Sequence, residues 1–441
     1  MNRFILVLIG FSLSLLPYAQ STPQVLNGSE VIYEVNVRQF SKEGTFAELQ
    51  KALPRLKEMG VDILWLMPIN PIGVKNRKGT LGSYYAVRDY KGVNPEFGTL
   101  VDFKNLVNET HKQGMRLIID WVANHSSPDN VWLAQGHKDW YTLDSNGNVQ
   151  PTIGTDWWDV ADLNYENKEM RQEMISCMEF WVKNAKIDGF RCDVAGWVPM
   201  DFWKDARKAL DAAGNGVFML AEAEGNELYD AFEATYGWEF HHIMNDIAKG
   251  KKDAAAVHDF FARLKPGMYG FHMNFTSNHD ENSWNGTEME RMGDARFAMA
   301  VMAATIEGMP LVYNGQETSL DRRLAFFEKD EIDWTKMDLV AFYDKLLHLH
   351  QSNPALFAGV GQQAPRFISK SSDKNKLVYV RERDGHQVLV VLNLSAAPQQ
   401  IKFTDAATAG EFQNLFDGKK LSLKSDKTFD VPAWGYKVLF R

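Results

Sequence analysis

The chain is poor in cysteine, with Cys177 and Cys192 the only two in 441 residues. That excludes a disulfide framework. No Cys-x-x-Cys pair or Cys/His cluster is present, so there is no zinc or redox motif either. Cys177 falls in a helical pattern and Cys192 in the strand after it, and both are expected to be buried free thiols. Basic clusters are also missing. The balance of 48 Lys and Arg against 57 Asp and Glu is mildly acidic, which argues against nucleic acid as a partner. There are no internal repeats and no low-complexity linker. The longest apolar run, Phe4 to Leu16, is short for a membrane span. It lies between Asn2-Arg3 and Pro17-Tyr18-Ala19-Gln20-Ser21, the layout of a secretory signal peptide. Residues 1–20 are therefore expected to be removed, with no lipoprotein cysteine and no stable membrane insertion. The mature protein is expected to be exported, periplasmic or extracellular.

What the chain does have is alternation. Val31–Val37, Val61–Leu66, Met115–Trp121, Ile187–Asp193, Gly216–Ala221, Phe271–Thr276 and Gly308–Tyr313 read as strands, most followed by helical stretches such as Thr45–Met59 and Thr99–Gln113. Nearly continuous apolar strands indicate a parallel sheet covered on both faces. With a fainter strand near Ala231–Thr235, the count predicts a (β/α)8 barrel over residues 29–356. A loop-like insertion, 123–165, carries Trp132, Trp140, Tyr141, Trp157 and Trp158 and follows the third strand. Residues 357–441 show short strands between Gly, Asp and Ser turns, the pattern of an antiparallel β-sandwich domain.

The segment Asp188-Gly189-Phe190-Arg191-Cys192-Asp193 carries the most chemistry. Alternation along a strand points Arg191 and Asp193 the same way, and a neighbouring guanidinium favours an ionised carboxylate. An ion pair of this kind is common in ordinary cores, so the other strand ends decide. Asp120-Trp121-Val122-Ala123-Asn124-His125 ends the third strand, Ala221-Glu222 the fifth, and Ser277-Asn278-His279-Asp280 the seventh. In a barrel these ends converge on one mouth, bringing Asp120, Asp193, Glu222 and Asp280 together with Arg191, His125 and His279. Glu222 and Glu224 share strand parity, so by alternation either could face the mouth.

These motifs, in this order, resemble those of the α-amylase family, glycoside hydrolase family 13. Asp162-Leu163-Asn164 and Gly308-Met309-Pro310-Leu311-Val312-Tyr313 resemble two further motifs of that family, and the likeness runs from about Ser29 to the C-terminus. The resemblance implies a barrel with an inserted domain B and a C-terminal β-sandwich, acting on α-glucosidic bonds with retention. It implies Asp193 as nucleophile, Glu222 as acid and base, and Asp280 as the acid that holds sugar hydroxyls. Arg191 would orient Asp193, His125 and His279 would bond the sugar, Tyr85 would stack on it, and Asp120 would brace the site. The partner implied is an α-glucan oligosaccharide or polysaccharide, and no cofactor is required. Asp193-Val194-Ala195 resembles the neopullulanase and cyclomaltodextrinase group, members of which accept α-1,4 and α-1,6 bonds.

The chain departs from the family at Gly196-Trp197, where many α-amylases carry Lys-His, the His giving a carbonyl to calcium. Asn124 and Asp162 match two other calcium-ligand positions, but two donors fall short of the six to eight oxygens calcium takes. A structural calcium ion is supported at those two positions only. Two other function classes stay open. A glucosyl transferase would use the same acids, whereas a non-catalytic glucan-binding protein would have lost one, and none is lost.

Overall fold

Eight short parallel strands close on themselves in the computed structural model, which describes residues 26–441 apart from 215, 265–269, 360 and 362. The expected signal peptide lies outside the described residues. The strands are β1 Ile32–Val35, β2 Ile63–Leu66, β3 Arg116–Trp121, β4 Gly189–Cys192, β5 Phe218–Ala221, β6 Ala234–Tyr236, β7 Phe271–Asn274 and β8 Met309–Tyr313. Each pairs with its neighbour in sequence, and β8 closes onto β1 through Ile32 opposite Leu311. The expected (β/α)8 barrel is therefore present.

Alternation sorts the side chains into two layers. Ile32, Ile63, Trp65, Ile118, Phe218, Leu220 and Met273 fill the barrel. Tyr33, Leu64, Leu66, Leu117, Ile119, Phe190 and Met219 face outward and pack on the helices. The helix Phe46–Glu58 lays Leu49, Leu53 and Leu56 on that layer, one face of a 3.6-residue repeat. Helix Leu100–Lys112 starts at a reciprocal cap, the Thr99 side chain bonding the Asp102 N–H while Asp102 bonds back to Thr99. Cys192 points into the same outer layer, and both it and Cys177 are buried and free.

Element boundaries differ from the sequence reading where side chains intervene. The first strand stops at Val35 because the Asn36 side chain accepts the Gln39 N–H and caps the helical turn Val37–Phe40. The sixth strand is only three residues, Ala234–Tyr236, displaced toward Tyr236 from the expected position. The helix that carries Cys177, Lys168–Phe180, closes as a π-helical turn, Trp181–Ala185, against Lys186 in a left-handed conformation (φ 61°).

The segment after β3 is anchored by His125–Ser126 pairing antiparallel with Ala161–Asp162. Trp132, Trp140 and Tyr141 are its buried core, whereas Trp157 is half-buried beside His125 and Trp158 is exposed. Beyond the barrel, a six-stranded antiparallel sheet packs against a two-stranded one. Its strands alternate sides: Val378, Val380, Leu389 and Val391 face the second sheet. Leu377, Tyr379, Val388, Val390 and Leu392 pack on the barrel helices with Met299, Met302, Leu346 and Leu349. Among the described residues no helix is long and apolar enough to cross a membrane.

Candidate active site

Arg191 is fully buried at the end of β4, opposite Asp120 in the register with β3. Its Nη1 donates to Asp120 Oδ1 at 2.9 Å and to Asp193 Oδ1 at 3.0 Å. Nη2 lies 2.9 Å from Glu222 Oε1, a close ion-pair contact out of line for a hydrogen bond. Nε donates to the Tyr236 hydroxyl at 3.0 Å. One guanidinium thus gathers three carboxyls from three strand ends. The Trp65 ring lies beneath it at 5.1 Å, an arrangement that favours a desolvated cation.

A second group joins from the opposite side. The Tyr85 hydroxyl donates to Asp120 Oδ2 at 3.1 Å and shares a 2.6 Å hydrogen bond with His279 Nε2, and the two rings stack at 5.5 Å. His279 Nδ1 bonds Glu34, fully buried on β1, and Nε2 lies 3.3 Å from Asp280 Oδ2. Asp280 keeps 34% of its side chain exposed, against 10% for Asp193 and 11% for Glu222. It is therefore the acid most open to a ligand.

Burial sets the protonation. It pushes Asp193 and Glu222 each up to about 7 and Asp120 up to about 6, and Arg191 pulls against it in all three. Arg191 acts on Asp193 in the expected direction, favouring the ionised form, but desolvation in this pocket is the larger effect. Burial also disfavours charge on His279, yet Asp280 and Glu34 together hold it up at about 9. His125 has no such partner, and burial drops it to about 3, leaving a neutral ring beside Asn124. With two cations among five carboxyls, the cluster retains protons near neutrality.

The structure brings Asp120, Asp193, Glu222, Asp280, Arg191, His279 and Tyr85 into one cluster, with His125 at its edge toward the insertion. Glu224 stands apart: its carboxyl accepts the Glu239 N–H at 3.0 Å, near the start of helix Trp238–Ala248. The turn that follows Asp193 is strained. Val194, a β-branched residue, sits at φ 37° and donates its N–H to Glu222 Oε2 at 2.8 Å. Such a conformation costs about 1–3 kcal/mol and is typical of functional sites. Glu34 and Tyr236 were missed by sequence reasoning. The signal for Glu34 was present, a lone acid in the buried strand Ile32-Tyr33-Glu34-Val35.

The family model for the alpha amylase catalytic domain matches residues 27–345. The chain belongs to the alpha-amylase family. A model for the maltogenic amylase C-terminal domain matches residues 366–438. An alpha-amylase from Lactobacillus plantarum has the same fold at TM-score 0.83 and 32% identity, over 94% of this chain and 99% of that one. The maltogenic alpha-amylase AmyB from Thermotoga neapolitana matches at TM-score 0.84 and 32% identity, over 94% and 98%. A cyclomaltodextrinase from a Bacillus species is 27% identical over 81% of this chain and 67% of its own length. The chain spans 62% to 70% of the length of three curated relatives named as alpha-amylases and a cyclomaltodextrinase.

The two positions expected to match calcium ligands, Asn124 and Asp162, both lie in the insertion. Asn124 donates to Thr152 Oγ1 at 3.2 Å, and the carboxyl of Asp162 is bonded by the side chains of Thr142 and Thr152. One carboxylate, one carboxamide and two hydroxyls are too few side-chain oxygens to fit an ion that takes six to eight. Among the described residues no group of three or more His, Cys, Asp or Glu is placed to hold a metal. No chemical step below is routed through one.

Proposed function

We propose that this protein is a retaining α-glucoside hydrolase that cleaves α-1,4 bonds, and α-1,6 bonds where its cleft admits them, in malto-oligosaccharides and starch-derived glucans. The observation that carries the proposal is the single buried guanidinium of Arg191 holding Asp120, Asp193 and Glu222 at the mouth of the barrel. Two carboxyls in one dry pocket cannot both ionise freely. Arg191 makes an aligned hydrogen bond to Asp193 and an off-line contact to Glu222, so the shared proton favours Glu222.

In the first step Asp193 attacks the anomeric carbon, the bond to the glycosidic oxygen breaks, and the Glu222 proton passes to that oxygen. A glycosyl ester on Asp193 and an ionised Glu222 remain. Water then enters, Glu222 takes its proton, and the water oxygen displaces Asp193 from the same carbon. Asp280 and the charged His279 bond sugar hydroxyls, Tyr85 offers its ring, and Asp120 and Arg191 fix Asp193. This chemistry uses carboxyls and water alone. Similarity to a maltogenic alpha-amylase and a cyclomaltodextrinase supports short malto-oligosaccharides as substrates. Residues 1–20 are the ground for proposing that the enzyme works outside the cytoplasm.

Product analysis after incubation with maltoheptaose and, separately, panose tests the proposal, with Asp193→Asn alongside. Short products from the native protein and none from the variant are expected. Products longer than maltoheptaose would assign transfer in place of hydrolysis. An unchanged pair of sugars would overturn the substrate assignment.

A further inference from the structure

We propose that Arg381 and Arg383 form a binding site for a compact monovalent anion at the seam between the base of the barrel and the C-terminal domain. Both lie on the strand Lys376–Arg383. Leu377 and Tyr379 of that strand face the barrel helices, and alternation carries Arg381 and Arg383 to the same side. Tyr379 fixes the register, its hydroxyl sharing a 2.6 Å hydrogen bond with Thr305 Oγ1 at the end of helix Arg296–Thr305. Arg381 therefore reaches the turn that leads from this helix into β8, where Glu307 is the carboxylate that acts on it. Glu307 precedes β8, whereas Asp193, Glu222 and Asp280 follow their strands. The site thus lies at the opposite end of the barrel from the acid cluster.

Arg381 is fully buried, yet none of its Nε, Nη1 and Nη2 has a hydrogen-bond partner among the described residues. Nη1 of Arg383 is buried and unpartnered as well, while its Nε faces the exposed Asp384 at 3.5 Å. A guanidinium cannot shed its proton to escape such a setting, and an unpaired buried charge is costly to a fold. Burial pulls Arg381 down to about 10, Glu307 and Tyr379 pull it back up, and Arg383 opposes them. His350, on which Arg381 acts, is driven down to about 4 by burial and stays neutral. Arg383 has Asp384 at the surface, whereas Arg381 feels Glu307 without a bond to it. The two arginines stand about 7 Å apart along the strand. An anion between them accepts charge-assisted hydrogen bonds from both. The partly exposed Arg383 is its route to solvent. Because the ion ties the C-terminal domain to the barrel, its effect falls on stability.

The test is thermal unfolding of the full-length protein in sodium chloride and in sodium gluconate at equal ionic strength, for the native chain and Arg381→Met. Gluconate is too bulky for a buried site, and Met replaces the charge with an apolar chain of similar length. Chloride is expected to raise the native midpoint by about 3 °C, the shift for a ligand at 100 times its Kd on a chain of this length. Arg381→Met is expected to melt equally in the two salts. Equal native midpoints, or a chloride response kept by Arg381→Met, would overturn the proposal. Native crystals grown in bromide give a readout that needs no variant. An anomalous peak beside the Arg381 guanidinium is expected, and an ordered site without one would overturn the proposal.

Discussion

Replacing Glu34 by Gln probes the one charged partner of the site that the sequence did not disclose. Glu34 and Asp280 share His279 and hold it at about 9 although burial opposes its charge. An unfolded histidine titrates near 6.5, and that gap corresponds to about 3 kcal/mol. A group whose folded value is raised contributes stability that is complete below the unfolded value and is lost as pH rises through the folded one. The contribution is therefore full at pH 6 and gone by about pH 10. Glu34 supplies one of the two raising charges, so the substitution is expected to lower the His279 value by roughly one to two units and to cost about 1–3 kcal/mol at pH 6. The penalty shrinks toward zero at alkaline pH. Carbon-13 labelling of the histidine rings gives the titration directly, and urea unfolding at pH 6 and pH 10 gives the stability difference. Native His279 titrating near 6.5, or a penalty equal at both values, would refute the reasoning.

The glutamate assignment gives a paired expectation. Glu222→Gln lowers kcat on maltotriose roughly 100-fold or more by removing the proton donor, while Glu224→Gln leaves kcat within about twofold, since Glu224 only bonds the Glu239 N–H. Asp280 raises the value of Glu222 through like charge. Asp280→Asn should therefore move the alkaline limb of the kcat/KM profile to lower pH as well as depress activity, and a limb that stays or rises would contradict this. Thr99→Ala breaks the reciprocal cap of helix Leu100–Lys112, which bonds Asp102 and no residue of the acid cluster, and should cost about 1 kcal/mol of unfolding free energy with kcat unchanged.

Much of the architecture was legible because it rests on local patterns. Apolar strands at regular spacing announced the barrel, and acids next to Trp121, Cys192 and Ala221 or just before the next helix announced its mouth. Arg191 and Asp193 were legible as partners through strand parity. The rest depends on closure of the sheet. Glu34 meets His279 only because β8 returns to β1 and brings the first and seventh strand ends round one mouth. Tyr236 sits on a three-residue strand too short to leave a period. Parity could not separate Glu222 from Glu224 because the chain leaves the strand at Ala221 and the rule lapses there. The raised value of Asp193 was not legible for a similar reason: burial is set by the whole fold, while a neighbouring arginine is visible in the sequence.

The central claim is that Asp193 becomes covalently bonded to the sugar. A 5-fluoro-α-glucosyl fluoride tests it most directly, since ring fluorine slows both steps while fluoride leaves readily enough to let the first proceed. Peptide mass spectrometry of the quenched enzyme should find one glycosyl adduct, on Asp193. An adduct on Asp120, Glu222 or Asp280, or turnover of malto-oligosaccharides with inversion at the anomeric carbon, would contradict the account.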